Sequence, residues 1–260
     1  FLYLGIVLIF SGLFFRLLAV WAFPRWRKSL KKGLGKKISK VAEFLGPSYI
    51  KLGQFLSTRP DLIGFEMSDQ LSKLQDRLKP FYFDDVKREV ESAFHGELKD
   101  IFKEFSEEAS AAASIAQVHK AKLKDGKEVA VKILRPGVER TIARDISLFY
   151  MMAKLFQFFS SHARRMRLYK VVGRLEKMVR DELDLRMEAA SADVLRKNLR
   201  AETDVIIPEI YWEYTTRRVM VSRWCHGVPA NDLDAIKKMK VKPSVVAQKL
   251  AVTLFNQAFR

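Results

Sequence analysis

Lys132 stands in "EVAVKIL", a run of alternating β-branched residues, which places it on a strand among small apolar neighbours. Eighteen residues upstream ends "SAAAS", Ser110 to Ser114, which has no large side chain. A small-residue loop lets backbone N–H groups approach an anion, and a lysine ammonium neutralises one, so the chemistry this pair could do is anion binding. A third polar group stands apart. Lys51, Gly53 and Gln54 interrupt the amphipathic stretch "PSYIKLGQFLSTRPDLIG", where Thr-Arg-Pro-Asp would stop a helix. Taken alone, Lys51 and Gln54 read as solvated residues on a helix face, and Lys132 as a snorkelling edge lysine.

The elements that must position these residues follow from the pattern. "DIFKEFSEEASAAASIAQVHKAKLKDGKEVAVKILRP" reads as a short strand, the small-residue loop, and two strands joined at Lys124 to Lys127, where Asp-Gly signals a hairpin. Val129, Val131 and Ile133 then share one face, and Ala130, Lys132 and Leu134 the other. Upstream the pattern is helical, with a break at Gly46-Pro47, a second helix in "EMSDQLSKLQDRL" ending before Pro80, and a third in "FDDVKREVESAF" that has Asp84 or Asp85 available as N-cap. Downstream, "TIARDISLFYMMAKLFQFF" is broken by Arg144, Asp145 and Lys154. It reads as a packed helix, with its Phe, Met and Leu residues in the core. The basic run Arg164, Arg165, Arg167, Lys170 and Arg174 reads as a solvated or membrane-facing surface. "DVIIPEIYWEYTTRRVMVSRWCHGVPA" gives two more strands, around Ile206-Ile207 and Val219 to Val221, with His226 as a loop histidine.

Composition bounds the alternatives. The 260 residues are 48% hydrophobic, enough for a sizeable core, and the single cysteine, Cys225, excludes an intrachain disulfide and a cysteine-based zinc site. A cytosol-facing protein is the simplest reading. The net charge is +17, and eight Lys and Arg fall between Arg25 and Lys40 with no acid among them. Just before them, residues 1–23 carry one charge, Arg16, and are long enough to cross a hydrocarbon core of about 30 Å. Trp21 and Trp26 flank the end of this span as interfacial anchors would. The combination predicts a transmembrane or membrane-anchoring helix at 1–23 and a basic juxtamembrane segment at 24–40 that seeks anionic lipid, not nucleic acid. Arg16 leaves open whether the helix spans the bilayer or lies in its interface. A cleaved signal peptide is disfavoured, because the basic residues follow the apolar run.

A protein-kinase N-lobe has the same order of parts: a small-residue loop between two strands that covers ATP phosphates, then a strand lysine that reaches them. There is no G-x-G-x-x-G here, and alanine resists the positive φ that glycine accepts, so the loop should be stiffer and the activity atypical.

Four ordered blocks resemble the UbiB family of atypical protein-kinase-like proteins, which supports ubiquinone biosynthesis in bacteria and mitochondria. They are "KLGQFLSTRPDL" with "QLSKLQDRL", "AAASIAQVHKAKL", "VAVKILRPGV" and "DELDLRMEAASA", and the resemblance covers residues 47 to 230. The resemblance implies an ATP-binding loop made of Ser110, Ala111, Ala112, Ala113, Ser114, Ile115, Ala116, Gln117 and Val118, with Lys132 on the phosphates. Glu182 and Asp184 match the family's Glu-x-Asp motif, and Glu188 is a further carboxylate available to a lysine. Lys51, Gly53 and Gln54 match the family's Lys-x-Gly-Gln motif, a lid over the nucleotide side that occludes a peptide-substrate site. On one regular helix Asp184 and Glu188 would share a face, whereas Glu182 and Asp184 would lie about 200° apart. One of Glu182 and Glu188 is therefore expected to pair with Lys132, and another acid of the set to hold Lys51. The strand before "RWCHGVP" takes the position of the kinase hinge, where Ser222, Arg223 and His226 depart from the family's usual residues.

The expected architecture is α+β: a membrane helix (1–23), a basic segment (24–40), a helical extension (41–100), a kinase-like N-lobe (101–226) and the start of a truncated C-lobe (227–260). No metal ligand is expected in this stretch, since the resemblance puts the Asn and Asp that hold magnesium beyond Arg260. It implies an ATP- and Mg-dependent atypical kinase or ATPase, with the stretch as given lacking the catalytic loop. Its partners would be anionic lipid and either quinone-biosynthesis enzymes or prenylated quinone intermediates. Its location would be the cytoplasmic face of a bacterial inner membrane, or the mitochondrial inner membrane in a eukaryote. The competing reading is a non-catalytic membrane scaffold for quinone-biosynthesis enzymes. In either case the apolar helix in "VVAQKLAVTLFNQAFR" should be poorly buried.

Overall fold

The computed structural model describes residues 40–74, 78–159, 161–200, 205–228, 230 and 232–259. The expected membrane segment 1–23, and all but Lys40 of the basic segment, lie outside them. Among the described residues no helix is long and apolar enough to cross a membrane. In chain order the main elements are α1 (Pro47–Ser57), α2 (Phe65–Ser72), α3 (Phe83–Phe94), β1 (Phe102–Ala112), β2 (Ala116–Leu123), β3 (Glu128–Leu134), α4 (Val138–Phe159), α5 (Leu168–Glu182), α6 (Leu185–Asn198), β4 (Val219–Arg223) and α7 (Pro243–Phe259). They form two compact units. One is helical, with Phe1–Pro80, Ala112–Ala116 and Arg135–Asp181; the other holds the sheet, with Phe81–Ala111, Gln117–Leu134 and Glu182–Arg260.

The sheet has the order β1-β2-β3-β4, and β4 runs antiparallel to β3 with Lys132 opposite Met220. The Asp-Gly hairpin between β2 and β3 forms as expected. Gly126 takes φ 90, which costs glycine little, and the Leu123 N–H donates to Lys127 O at 2.9 Å. Val129, Val131 and Ile133 are fully buried against Val86 and Val90 of α3 and Val219 and Val221 of β4. Each such side chain contributes about 1.5–3 kcal/mol when fully buried. Helix α3 begins two residues earlier than a cap at Asp84 would require. Tyr82 is its N-cap, and Asp84 and Asp85 fall in the first turn, where they favour the helix dipole instead.

Two strand expectations are corrected. β1 continues through Ala112 and β2 starts at Ala116, so the expected loop shrinks to Ala113, Ser114 and Ile115. Alanine and serine carry no pattern of their own, and the ladder takes them in as strand until the Ala113 N–H closes the turn on Ala116 O at 2.7 Å. Ile206-Ile207 is not a strand. The chain joins β4 only at Ile210, by one bridge to Ser222, since Pro208 has no N–H to continue a ladder.

In the helical unit α1 packs on α2 and α4, with the Tyr49 ring meeting Phe149 edge-on at 5.2 Å. Ile142, Ile146, Phe149 and Ala153 form the buried stripe of α4. Its remaining large apolar residues are not all core, as expected from sequence: Met151, Leu155, Phe158 and Phe159 are exposed, because they lie on the other side of the helix. Helix α7 belongs to the sheet unit and exposes Leu250, Val252, Leu254 and Phe255, as its sequence predicts.

Candidate functional site

Lys132 leaves the sheet on the face opposite Val131 and Ile133. Its Nζ donates to both Oε1 and Oε2 of Glu188 at 2.7 Å each. Glu188 is placed there by the way α6 starts. The α5 helix ends at Glu182, and Asp184 leaves helical geometry to become the N-cap of α6, accepting from the Arg186 N–H at 3.1 Å. The Arg186 guanidinium grips the same carboxylate at 2.6 and 2.9 Å and holds its pKa below the usual range. Leu185 and Ala189, one turn apart, are fully buried, and the Leu185 N–H donates to Arg217 O at 3.0 Å. Further along, Trp212 Nε1 donates to Asp193 at 3.0 Å. The first turn of α6 is thereby fixed beside β4, which carries Glu188 to Lys132.

One regular helix through all three acids is therefore corrected. Asp184 and Glu188 do not share a helix face, because the helix breaks at Leu183. Asp184 is engaged in capping, Glu182 closes the preceding helix, and Glu188 takes Lys132. A strand lysine held by a glutamate of the neighbouring helix is the ion-pair arrangement of kinase N-lobes.

Among the candidate loop residues, Ser110, Ala111 and Ala112 end β1, and Ala116, Gln117 and Val118 open β2. Ser114, Ile115, Ala116 and Gln117 are buried. The Gln117 Oε1 accepts from the Phe81 N–H at 2.9 Å, while its Nε2 lies 2.8 Å from Nε2 of the fully buried His119. His119 Nδ1 is 2.8 Å from Ser106 O, so the imidazole donates there and accepts from the glutamine amide. Burial pushes the His119 pKa down. The turn itself is held by Arg135, whose N–H donates to Ile115 O at 2.8 Å and whose Nη2 donates to Ala113 O at 3.1 Å and Lys79 O at 2.7 Å.

The Lys51 set belongs to the helical unit, and the Lys132 set to the sheet unit. On α1, Lys51 is 8% exposed, and Gln54 is half-buried. Gly53 lies where a Cβ would overlap Leu74 Cδ1, so glycine lets the chain pass at that distance. One turn earlier, Ser48 Oγ donates to the buried Asp145 at 2.7 Å, and Arg144 holds the other oxygen of that carboxylate at 3.1 Å. Thr-Arg-Pro-Asp stops α1 as expected. Thr58 Oγ1 donates to Phe55 O at 2.8 Å, and Pro60 opens the next short helix.

After β4 the Trp224 N–H donates to Glu128 O at 3.0 Å, and His226 Nε2 lies 3.1 Å from the Glu128 carboxylate. Lys120, then His226, hold that carboxylate below its usual pKa. Among the described residues no cluster of His, Cys, Asp and Glu is arranged to hold a metal ion. Sequence reasoning missed Arg135, Asp145 and His119. The one available signal was Asp145, a lone acid in an apolar helix run, which must find partners if buried.

A family model described as ABC1 atypical kinase-like domain matches residues 73–260. Proteins named probable protein kinase UbiB are similar along most of the chain. That of Marinobacter nauticus is 40% identical over 95% of this chain and 44% of its own length. That of Pseudomonas entomophila is 37% identical over 94% of this chain and 45% of its own. This chain belongs to the UbiB family of ABC1 atypical kinase-like proteins. It spans about 45% of the length of the UbiB relatives it matches. Among solved structures, the complex of Rv3197 with erythromycin from Mycobacterium tuberculosis is similar with a TM-score of 0.53 and 26% identity, covering 80% of this chain and 52% of that one. The antibiotic is a ligand of that protein.

Proposed function

We propose that this UbiB-family chain carries the nucleotide-binding part of an ATP-dependent atypical kinase or ATPase that supports ubiquinone biosynthesis at a membrane. The observation that carries the reading is the Lys132–Glu188 pair. An ammonium fixed on both carboxylate oxygens, yet 25% exposed along its side chain, is where a kinase-like lobe presents a lysine to ATP phosphates. The short turn from Ala113 to Ile115 and the extended chain after β4 would seat the rest of the nucleotide, which would supply the phosphoryl group. Phosphoryl chemistry of this kind would use magnesium, and none of the described residues is proposed as its ligand. Lys51, Gly53 and Gln54 are proposed as a lid over the nucleotide. Proposed partners are anionic lipid and quinone-biosynthesis enzymes or prenylated quinone intermediates at a bacterial inner membrane.

The test is nucleotide-dependent thermal stabilisation of the full-length protein and of Lys132→Ala. Ligand at a hundred times its Kd stabilises by about 2.7 kcal/mol. At about 2–4 °C per kcal/mol that is a rise of roughly 5–10 °C. The wild type should show it and Lys132→Ala should lose most of it. No rise in either protein would sink nucleotide binding and leave the non-catalytic scaffold.

A further inference from the structure

Helix α4 carries two apolar stripes where a packed helix needs one. At about 100° per residue, Ile142, Ile146, Phe149 and Ala153 fall within roughly 60° of arc, and these are buried. Met151, Leu155, Phe158 and Phe159 centre about 180° away, and all four are exposed. Phe158 and Phe159 are about three-quarters exposed, at 75% and 76%, with their rings edge to face 5.0 Å apart. Side chains this large are seldom left in water as a group at one helix end.

The charge that follows this tip in the sequence is of one sign. From Tyr150 to Arg174 the chain contains no Asp or Glu. Arg164, Arg165, Arg167, Lys170 and Arg174 are all exposed, and they start five residues after the phenylalanines. Arg164 also folds back, donating from Nη1 to Gln157 O and Phe158 O at 3.3 Å each, which binds a guanidinium to the carbonyl end of α4. On α5, Lys170 and Arg174 are one turn apart, away from the buried Val171, Val172, Leu175 and Val179. Aromatic residues at a helix tip followed closely in the chain by arginines match the boundary between acyl chains and anionic headgroups.

We infer that the C-terminal end of α4 and the basic segment after it form a second membrane-docking surface, with Phe158 and Phe159 entering the headgroup–acyl boundary of an anionic bilayer. The occupant is lipid and not another protein because an apolar tip is followed by five like charges, with no acid in the sequence from Tyr150 to Arg174. The inference deepens the membrane part of the proposed function, and it does not depend on residues 1–23.

The protein's single exposed cysteine makes the test clean. With Cys225→Ser as background, Phe158→Cys carries an environment-sensitive nitrobenzoxadiazole label. The same label on Cys225 of the otherwise unchanged protein is the control. On vesicles of phosphatidylcholine with phosphatidylglycerol, emission at position 158 should rise several-fold, shift to the blue and be quenched by lipids brominated on their acyl chains. Phosphatidylcholine alone should give little response, and the control label should stay aqueous. Combining Arg164→Gln, Arg165→Gln and Arg167→Gln should weaken insertion at position 158 by about a hundredfold, from about fivefold per charge. A chain that floats with vesicles while position 158 stays aqueous overturns the inference and leaves an N-terminal anchor intact. An equal response on neutral vesicles overturns the anionic part of it. A shift without vesicles that grows with protein concentration overturns it in favour of a second copy of the chain. None of these outcomes alters the nucleotide-dependent stabilisation, which tests the kinase reading separately.

Discussion

Replacing Gly53 by alanine sets two opposing effects against each other. Gly53 lies inside α1, and alanine in a helix interior is favoured over glycine by about 1 kcal/mol. Against this, the new Cβ would overlap Leu74 Cδ1 and touch Leu71 Cδ2 at 3.9 Å. Both leucines are buried, at 5% and 2% exposure, so Leu74 cannot give way simply by swinging into solvent. Overpacking of this kind costs about 1–3 kcal/mol, so the net effect of Gly53→Ala is a loss of about 1 kcal/mol. At roughly 2–4 °C per kcal/mol this is a modest fall in Tm, and the sign is the informative part. Leu74→Ala alone should cost about 2–5 kcal/mol through the cavity it opens. In the double variant the alanine methyl occupies part of that cavity, so the combined loss should fall short of the sum by about 1 kcal/mol or more. Thermal and urea denaturation of the four proteins measures all of these terms. A Gly53→Ala protein more stable than wild type by the full propensity gain, with strict additivity in the double variant, would refute the claim that close approach to Leu74 requires the glycine.

Two further outcomes follow from polar groups, one buried and one half-buried. His119 has its pKa lowered from the ordinary 6.5 by burial, so the unfolded chain takes up the proton more readily. Its contribution to stability is therefore fully present above about 6.5 and is lost as pH falls through the lower folded value. Denaturation midpoints between pH 7.5 and 5 should fall less steeply in His119→Gln than in wild type; identical slopes would exclude His119 as the source. Arg135→Ala removes the side-chain hydrogen bonds to Ala113 O and Lys79 O, worth about 2 kcal/mol together. Amide exchange at Ala113 should quicken by roughly thirtyfold, and Arg135→Lys should restore little of the protection, since one ammonium cannot replace the planar fork. Unchanged exchange would show that the turn holds itself.

The sheet was legible because a strand with one buried face writes a period of two into its sequence. Val129, Val131 and Ile133 alternate with Ala130 and Lys132, and the Asp-Gly turn fixes the register before them. The loop was not, because Ser110 to Ala112 carry no pattern and become strand only when β2 supplies partners. Helix α4 shows a different limit. Its two apolar stripes are both present in the sequence, but which one faces the core depends on α1 and Tyr49, far away in the chain. The break at Leu183 is similar: "DELDLRMEAASA" is helical throughout by propensity, and only the capping by Asp184 and the burial of Leu185 divide it.

That break decides which acid meets the lysine. On an unbroken helix Asp184 and Glu188 would compete for the same direction. With the chain turned at Leu183, Asp184 is held by the Arg186 N–H and guanidinium, and the fourth residue of the new helix is left to face β3. Glu188 there also lies in the first turn of α6, at the positive end of its dipole. The pair it makes is only partly buried, with side chains 25% and 48% exposed, so its contribution to stability is at most about 1 kcal/mol. Fold stability is therefore a weak reason for an ammonium held on two oxygens at 2.7 Å. The geometry instead fixes Lys132 Nζ at one point without closing it off from an arriving anion. A lysine that must meet a phosphate needs both properties, since a free side chain would have to be ordered at the moment of binding and a fully buried one could not be reached.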